Sequence, residues 1–367
     1  MNARTLLIPA AMLIPALAFS QWHLESAFGT MLDDNTFNNS YQIADRISEA
    51  TLNAGHLWEG DMSLVDATAA GALNYFALAP SRTFYSLMGT VRAQTLLDAE
   101  GGNLLEATAQ YGVRNNRDEY TLFDHRQFAA SLGGREYVGD SWTIKEAYTF
   151  RLATFPSLES LNYAEHTLAL QGGTTWSTRT TFIARVEYGI KTYITADSSG
   201  LRTSGSGRHS SSLSSPGVSQ LVGSLKIAQG ITGKTGISLL GQYQGSLAKE
   251  SRYVSFGEGT VSDDELFDDR YGYDGPLFNL GLTQIAGDDV RLQAAASYQR
   301  RLYTLRPALA MDGITVLALQ RIDERTAFSL EAIIDLPLGG TTLSLLYEYI
   351  VNSSNDPLYT YRNQALS

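Results

Sequence analysis

The sequence contains no cysteine among its 367 residues. Disulfide frameworks, thiolate metal sites and cysteine nucleophiles are therefore excluded, and so is the acylated cysteine of a lipoprotein. A basic excess is also missing, because 27 Lys and Arg stand against 38 Asp and Glu, for a net charge of −11. Proteins that bind nucleic acid concentrate Lys and Arg into a basic surface. We therefore expect no nucleic-acid partner.

Long apolar runs are missing as well, since no stretch after the amino terminus reaches the 18 apolar residues of a membrane-spanning helix. The first residues, MNARTLLIPAAMLIPALAFSQ, combine a charged start at Arg4, an apolar core over 6–19 and small residues at Ala18 and Ser20. This pattern predicts a signal peptide over residues 1–20, cleaved before Gln21, because the apolar core is too short to span a bilayer. The expected mature chain is one domain over residues 21–367, with a last strand that looks incomplete.

Helical periodicity is nearly absent from the mature chain, which alternates with period two between clusters of Gly, Asp, Asn, Ser and Pro. The alternation predicts fifteen strands and a sixteenth that begins near Tyr359. The fifteen cover 22–32, 47–58, 62–76, 83–97, 104–113, 125–137, 141–152, 161–172, 176–192, 217–229, 235–247, 277–286, 290–303, 324–336 and 341–351.

The stretch TFIARVEYGIKTY, residues 181–193, shows what such strands require. Its even positions from 182 to 190 are apolar, while Arg185, Glu187 and Lys191 occupy odd positions. Strands of soluble sandwiches average five or six residues, whereas a tilted strand needs about 9–11 residues to cross the hydrocarbon of a membrane. The pattern therefore predicts an all-β, antiparallel, up-and-down transmembrane barrel. Its apolar residues face lipid and its charged residues face water inside the barrel.

The lengths of the connections alternate along the chain. Every second connection is short, as at 59–61, 138–140 and 287–289, while the intervening ones extend to 193–216 and 248–276. Barrels of bacterial outer membranes have tight periplasmic turns and long outer loops. With the amino terminus in the periplasm, all four tryptophans fall at the periplasmic ends of strands, as an aromatic girdle predicts. They are Trp22, Trp58, Trp142 and Trp176.

Two local segments carry a family resemblance in addition to this overall pattern. Asp33-Asp34-Asn35 follows the first strand, and NSSNDPLYTYRN, residues 352–363, leads into the last. Both are similar to segments in barrel domains of exported bacterial proteins, and the whole mature chain resembles a porin-like barrel of the outer membrane. The resemblance implies an outer-membrane location and about sixteen strands, or fourteen if 161–172 is a loop. A barrel of this size can enclose an aqueous lumen.

A porin-like barrel implies passive diffusion of small hydrophilic solutes, with lipid, lipopolysaccharide and small polar solutes as partners, and it leaves self-association into a homo-oligomer open. The alternatives are a scaffold or export partner whose loops 193–216 and 248–276 fill the lumen, and a membrane hydrolase built around His125 and Ser131. The alternation predicts nine charged pore-lining residues, of both signs. They are Arg92, Glu106, Arg179, Arg185, Glu187, Lys191, Arg291, Glu331 and Glu348.

Other chemistry has little support in the sequence. The five histidines show neither metal-ligand spacing nor a catalytic motif. The acidic run EGTVSDDELFDD, residues 258–269, lacks the spacing of a calcium-binding loop. We therefore expect no metal, no cofactor and no enzymatic activity.

Overall fold

A computed structural model describes residues 21–98, 102–139, 141–194, 217–249, 270–312, 315–337 and 340–367. The predicted signal peptide and the acidic run 258–269 lie outside these residues. Among the described residues, the helices are short 3₁₀ turns of the connections, and no helix is long and apolar enough to cross a membrane.

Sixteen antiparallel strands form one closed barrel in which each strand pairs with its neighbours in sequence and β1 pairs with β16. The strands are β1 (Trp22–Asp33), β2 (Asp45–Glu59), β3 (Ser63–Phe76), β4 (Phe84–Leu96), β5 (Leu104–Asn116), β6 (His125–Val138), β7 (Trp142–Thr154), β8 (Tyr163–Thr175), β9 (Thr180–Tyr193), β10 (Gly217–Gly230), β11 (Thr235–Lys249), β12 (Gly275–Ala286), β13 (Val290–Leu309), β14 (Val316–Asp335), β15 (Thr342–Ser354) and β16 (Tyr361–Leu366).

The predicted all-β barrel of sixteen strands is confirmed, and the fourteen-strand alternative is wrong because β8 is a complete strand. Three boundaries differ substantially from the prediction. Strand β9 begins at Thr180 instead of residue 176, because 176–179 form the turn. Strands β13 and β14 are longer than predicted, since their hairpin continues to Leu309 and Val316.

The described strands separate their side chains into two faces, as the sequence predicts. Residues paired across antiparallel strands share a face, and Arg185, paired with Gln171 and Ser224, lies on the inner face with Glu187. The outer face carries large exposed apolar side chains, among them Phe28, Val186 and Leu239. The four tryptophans are 45–61 % exposed, although Trp176 lies in the turn before β9. The polarity is that of a barrel surrounded by lipid.

The barrel closes at a seam between β1 and β16, where only two residue pairs, Leu32–Leu366 and Asp33–Ala365, join the strands. The two segments that carry the family resemblance meet here. The Asn35 side chain donates to the Arg362 carbonyl oxygen at 2.9 Å, and the Asn363 side chain donates to the Asn35 carbonyl oxygen at 3.1 Å. Both asparagines are buried. Side-chain hydrogen bonds thus strengthen the short pairing of β1 with β16 at the end of β1.

Candidate functional site

The lumen is the candidate site, because the chain encloses it with charged side chains. A five-residue piece of the connection between β11 and β12 enters it. We call residues 270–274 the inner segment; it begins with a 3₁₀ turn, Arg270–Gly272, and runs into β12. The sequence predicts this connection as an outer loop, or as one that fills the lumen in the scaffold alternative, and its described end lies inside the barrel.

Arg270 fixes the start of the inner segment to the wall formed by β8 and β9. Its guanidinium forms ion pairs with Glu187 and, at 3.0 Å, with Glu165, and it donates to the Thr167 hydroxyl at 3.2 Å. Both carboxylates are nearly buried, with 6 % and 10 % of the side chain exposed. Hydrogen bonds between charged groups in such surroundings are stronger than those between neutral groups. Arg270 therefore holds the segment against this wall.

Tyr271 supplies a second contact with the same wall. Its hydroxyl donates to Glu165 at 2.8 Å and lies directly over Gly189 of β9. A Cβ atom at position 189 would overlap this hydroxyl, so the close approach requires glycine there. Burial, followed by the negative charge of Glu165, raises the pKa of Tyr271. The phenol therefore stays neutral and remains a donor.

The pKa of Arg270 is raised as well. Burial alone would lower it, but Tyr271 and the carboxylates of Glu187 and Glu165 outweigh that effect. The guanidinium therefore stays charged.

Two glutamines hold the backbone of the inner segment. Gln220 of β10 and Gln244 of β11 each donate to the carbonyl oxygens of Arg270 and Tyr273, at 2.8–3.1 Å. Both side chains are buried, at 1 % and 4 % exposure. The Asp274 side chain accepts a hydrogen bond from the Ser246 backbone at 2.7 Å. Side chains from β8 to β11 thus fix the segment along the inner wall.

A cavity of about 240 Å³ lies between the inner segment and strands β7 to β9. Four of its lining residues are cationic and two are anionic, so its walls carry a net positive charge. The charged lining residues are Arg151, Glu165, Arg185, Glu187, Lys191 and Arg270. Arg151 contributes an ion pair with Glu165 at 3.4 Å. The cavity is polar and opens to the lumen, which suits passage of a hydrated solute better than the binding of an apolar one.

Three of the nine predicted pore-lining residues meet at this cavity. Arg185 pairs with Glu187, and Lys191 lies 4.3 Å from the centre of the Tyr163 ring. Lys191 is only 5 % exposed. It belongs to the wall that supports the cavity, and little of its surface meets the open lumen.

Five other predicted residues lie on the inner faces of the strands but away from the inner segment. Arg92 pairs with Glu106 at 2.6 Å, and Glu331 accepts a hydrogen bond from the Ser344 hydroxyl at 2.9 Å. Arg291 shares the inner face of β13 with Gln293, and Glu348 pairs with Ser329 across β14 and β15. All five lie on the face that encloses the lumen.

Arg179 is the exception, and its predicted position in the wall of the pore is wrong. It lies in the turn before β9 with a φ of 63°, and its backbone bonds to Trp176 and Gly230. This turn places a residue with positive φ at position 179, and the period-two pattern does not reveal such a turn.

The inner faces of opposite walls carry opposite charges. Strands β1 to β3 present only carboxylates among their charged inner residues, whereas strands β6 to β10 present six cations together with Glu165 and Glu187. The carboxylates are Glu25, Asp33, Asp45, Glu49, Glu59 and Asp66. The cations are Arg135, Lys145, Arg151, Arg185, Lys191 and Lys226. Charges of opposite sign on facing walls create a field across the lumen.

The histidine chemistry considered for a hydrolase is not assembled. His125 and Ser131 share the inner face of β6 but lie six residues apart, which is about 20 Å along a strand. Nucleophile and base must approach within about 3 Å. The ring of His125 contacts the Phe123 carbonyl oxygen instead. Among the described residues, no three His, Asp or Glu side chains come together as a metal site.

Several residues of the site were missed by the sequence reasoning. Arg151 and Glu165 follow the period-two pattern of β7 and β8, so their inward direction could have been read from their apolar neighbours. The sequence could not identify Arg270, Gln220 and Gln244 as residues of the site, because no sequence pattern shows that a loop turns back into the lumen. Only the tertiary structure brings these residues together.

Comparisons with known proteins address the fold. No protein-family model matches the sequence, and no curated relative matches it. Among solved structures, OccAB4 of Acinetobacter baumannii is similar with a TM-score of 0.51 and 10% identity, covering 95% of this chain and 97% of that chain. OpdL of Pseudomonas aeruginosa is similar with a TM-score of 0.51 and 12% identity, covering 95% and 98%. OccAB1 of Acinetobacter baumannii has a TM-score of 0.51 and 10% identity, covering 94% of each chain.

These proteins are outer-membrane porins, and at such low identity the likeness concerns the fold alone. Two features of the chain agree with it, the closed ring of sixteen strands and the apolar exterior. In its fold, the chain is a porin-like, sixteen-strand barrel.

Proposed function

We propose that the chain is a passive channel of the bacterial outer membrane that conducts small hydrophilic solutes. The observation that carries this proposal is the charged lumen, with carboxylates on β1 to β3 facing cations on β6 to β10. A charged side chain that points into the barrel is unfavourable unless water surrounds it or an opposite charge pairs with it. The side chains of Glu25, Glu49 and Lys145 are exposed and point inward, so water reaches the lumen.

The inner segment makes the channel selective. It lies against β8 to β11, and its Tyr273 also contacts Tyr303 of β13. A solute that passes at this level meets the cations of the cavity on one side and the carboxylates of the opposite wall on the other. Such a transverse field orders water and orients dipolar solutes, so zwitterions and ions with separated charges pass more readily than neutral molecules of the same size.

Planar-bilayer recording of the purified barrel tests the proposal. A channel gives stepwise currents, and a salt gradient gives a reversal potential that shifts when Glu25 and Glu49 are both replaced by Gln. A correctly folded barrel, shown by heat-modifiable migration on a gel, that carries no current would contradict the channel.

The second candidate is a scaffold or export partner with a filled lumen, and the inner segment is the observation that favours it. The two candidates differ in one measurable respect. For a scaffold, deleting the inner segment opens a silent barrel to ions, whereas for a channel the intact protein already conducts.

We also propose that the chain has no catalytic activity, because His125 and Ser131 are too far apart to act together. Replacing His125 by Ala should leave conductance unchanged. Its exterior, in this proposal, contacts membrane lipid, and the lipopolysaccharide of the outer leaflet surrounds its outer rim.

A further inference from the structure

On the outer face of the described strands, one carboxylate lies away from the strand ends without a charged partner. Glu146 points outward from β7, between Ile144 and Tyr148. Most other charged side chains that point outward from the described strands lie near strand ends. Arg300 and Glu324 lie further along their strands, beyond Tyr298, and form an ion pair with each other. Glu146 is exposed and has no ion pair or hydrogen bond with any described residue.

The position of Glu146 places it inside the hydrocarbon, if the barrel is membrane-embedded as proposed above. It lies four residues above Trp142, which is about 13 Å along the strand and about 10 Å along the membrane normal for a strand tilted by about 40°. Its neighbours across the sheet are Leu170 of β8 and Gly134 of β6. An isolated carboxylate at this depth is unfavourable, and such residues usually face protein instead of lipid.

The surface around Glu146 is shaped for contact with protein. Gly134 leaves the carboxylate lying flat on β6, and Gly172 of β8 has no atom within 4 Å of the place that a Cβ would occupy. Because these two positions carry no side chain, the outer surface of the sheet is recessed on both sides of β7. One step above, the Tyr148 hydroxyl shares a hydrogen bond of 2.7 Å with His166 of β8. An acceptor, Glu146, thus lies next to a hydroxyl that is free to donate elsewhere when the His166 ring donates to its oxygen.

We infer that this face, which we call the β6–β8 face, is the contact surface for a second copy of the chain, placed by a two-fold axis along the membrane normal. Such an axis brings the same face of both copies together at equal depth. The Glu146 carboxylate of one copy then accepts a hydrogen bond from the Tyr148 hydroxyl of the other, one step along the strand, and the reverse contact forms as well. The flat positions at Gly134 and Gly172 let the two sheets approach closely.

The choice of a second copy follows from the self-complementary chemistry of the face. Lipid chains offer no hydrogen-bond donor to Glu146. A different protein would only have to supply a donor to Glu146, and such a contact would not use the Tyr148 and His166 side chains that lie beside the carboxylate. A symmetric contact uses the Glu146 acceptor and the Tyr148 donor of every copy, while His166 donates to the Tyr148 oxygen.

Cysteine crosslinking in membranes tests the contact without background, since the chain has no cysteine of its own. Leu170→Cys places a thiol on the β6–β8 face, and Leu330→Cys on β14 is the matched control, because both leucines are exposed and point outward. A short bis-maleimide should convert the Leu170→Cys protein to a species of twice the mass, and the Leu330→Cys protein should remain a monomer. Adding Glu146→Leu should lower the crosslinked fraction at least about tenfold, because both symmetric hydrogen bonds are lost.

Equal crosslinking at positions 170 and 330 would overturn the inference, and so would a crosslinked species of any mass other than that of a homodimer. An unchanged yield with Glu146→Leu would overturn the role of the carboxylate. Conductance and heat-modifiable migration, measured on the same samples, separate this result from the proposed function. A conducting barrel without a dimer refutes only the contact, whereas a barrel that neither inserts nor conducts refutes the channel.

Discussion

The ion pairs of Arg270 give the sharpest prediction about the lumen. Arg270→Ala removes the guanidinium that pairs with Glu165 and Glu187, and it leaves both carboxylates almost buried. Breaking a buried pair in this way costs about 3–5 kcal/mol. The Arg270 side chain is 35 % exposed, and Arg151 and Arg185 still pair with the same carboxylates, so the expected cost is lower. We expect about 1–3 kcal/mol in favour of release of the inner segment.

That difference corresponds to an increase of about 5- to 150-fold in the ratio of released to attached segments. The glutamine contacts to the carbonyl oxygens of Arg270 and Tyr273 remain, so we expect repeated release and return instead of permanent loss. Single-channel recording should show more frequent transitions between current levels and a higher mean conductance than the unaltered protein, because the bore is wider when the segment leaves it.

Two variants serve as controls. Arg117→Ala removes an arginine whose side chain is 59 % exposed and whose ion pair with Asp118 is long, at 3.7 Å. Its currents should match those of the unaltered protein. Arg270→Lys keeps the charge but loses the planar fork that contacts two carboxylates, so it should give an intermediate result. If Arg270→Ala shows the same conductance and the same frequency of transitions as Arg117→Ala, the ion pairs do not hold the segment and the reasoning is refuted.

Three further predictions follow from the same geometry. Gly189→Leu should displace Tyr271 from the wall and raise mean conductance, while heat-modifiable migration stays normal; unchanged currents would contradict the contact. Because burial and Glu165 raise the pKa of Tyr271, folding stability linked to this group is present at neutral pH and is lost only above the ordinary tyrosine pKa of about 10. Difference spectra against Tyr271→Phe should therefore show no phenolate from Tyr271 at pH 10, where an ordinary tyrosine is half ionised. Val186→Arg, on the outer face of β9, should destabilise the folded barrel by about 2–4 kcal/mol in urea titrations in lipid, and a cost below about 0.5 kcal/mol would place Val186 away from lipid.

The outer wall could be predicted from the sequence because each strand of a membrane barrel meets lipid on one side and water on the other. Residues 181–193 illustrate this, since a shift of one residue would turn Arg185 and Glu187 toward lipid. The number of strands, their order and the inward direction of eight of the nine residues predicted to line the pore follow from that rule. Arg179, the ninth, does not follow this rule, because the sequence of its turn continues the alternation of the neighbouring strand and so does not reveal the positive φ.

The inner wall could be predicted much less well. Arg270 is separated from Glu165 by more than a hundred residues of chain, and the pairing depends on a loop whose path no local pattern specifies. His166 lies within β8 on the outer face, bonded to Tyr148, and therefore belongs to the β6–β8 face. The outward direction of Glu146 could have been read from its strand in the same way as Arg185.

The direction of neighbouring side chains on β9 is the central claim, and thiol accessibility in intact membranes measures it most directly. The account predicts that Arg185→Cys reacts with a small charged, water-soluble thiol reagent and that Val186→Cys does not, while a lipid-soluble reagent labels Val186→Cys. The reverse pattern, with the thiol at position 186 open to water and the one at 185 open to lipid, would contradict the barrel polarity and with it the proposed channel.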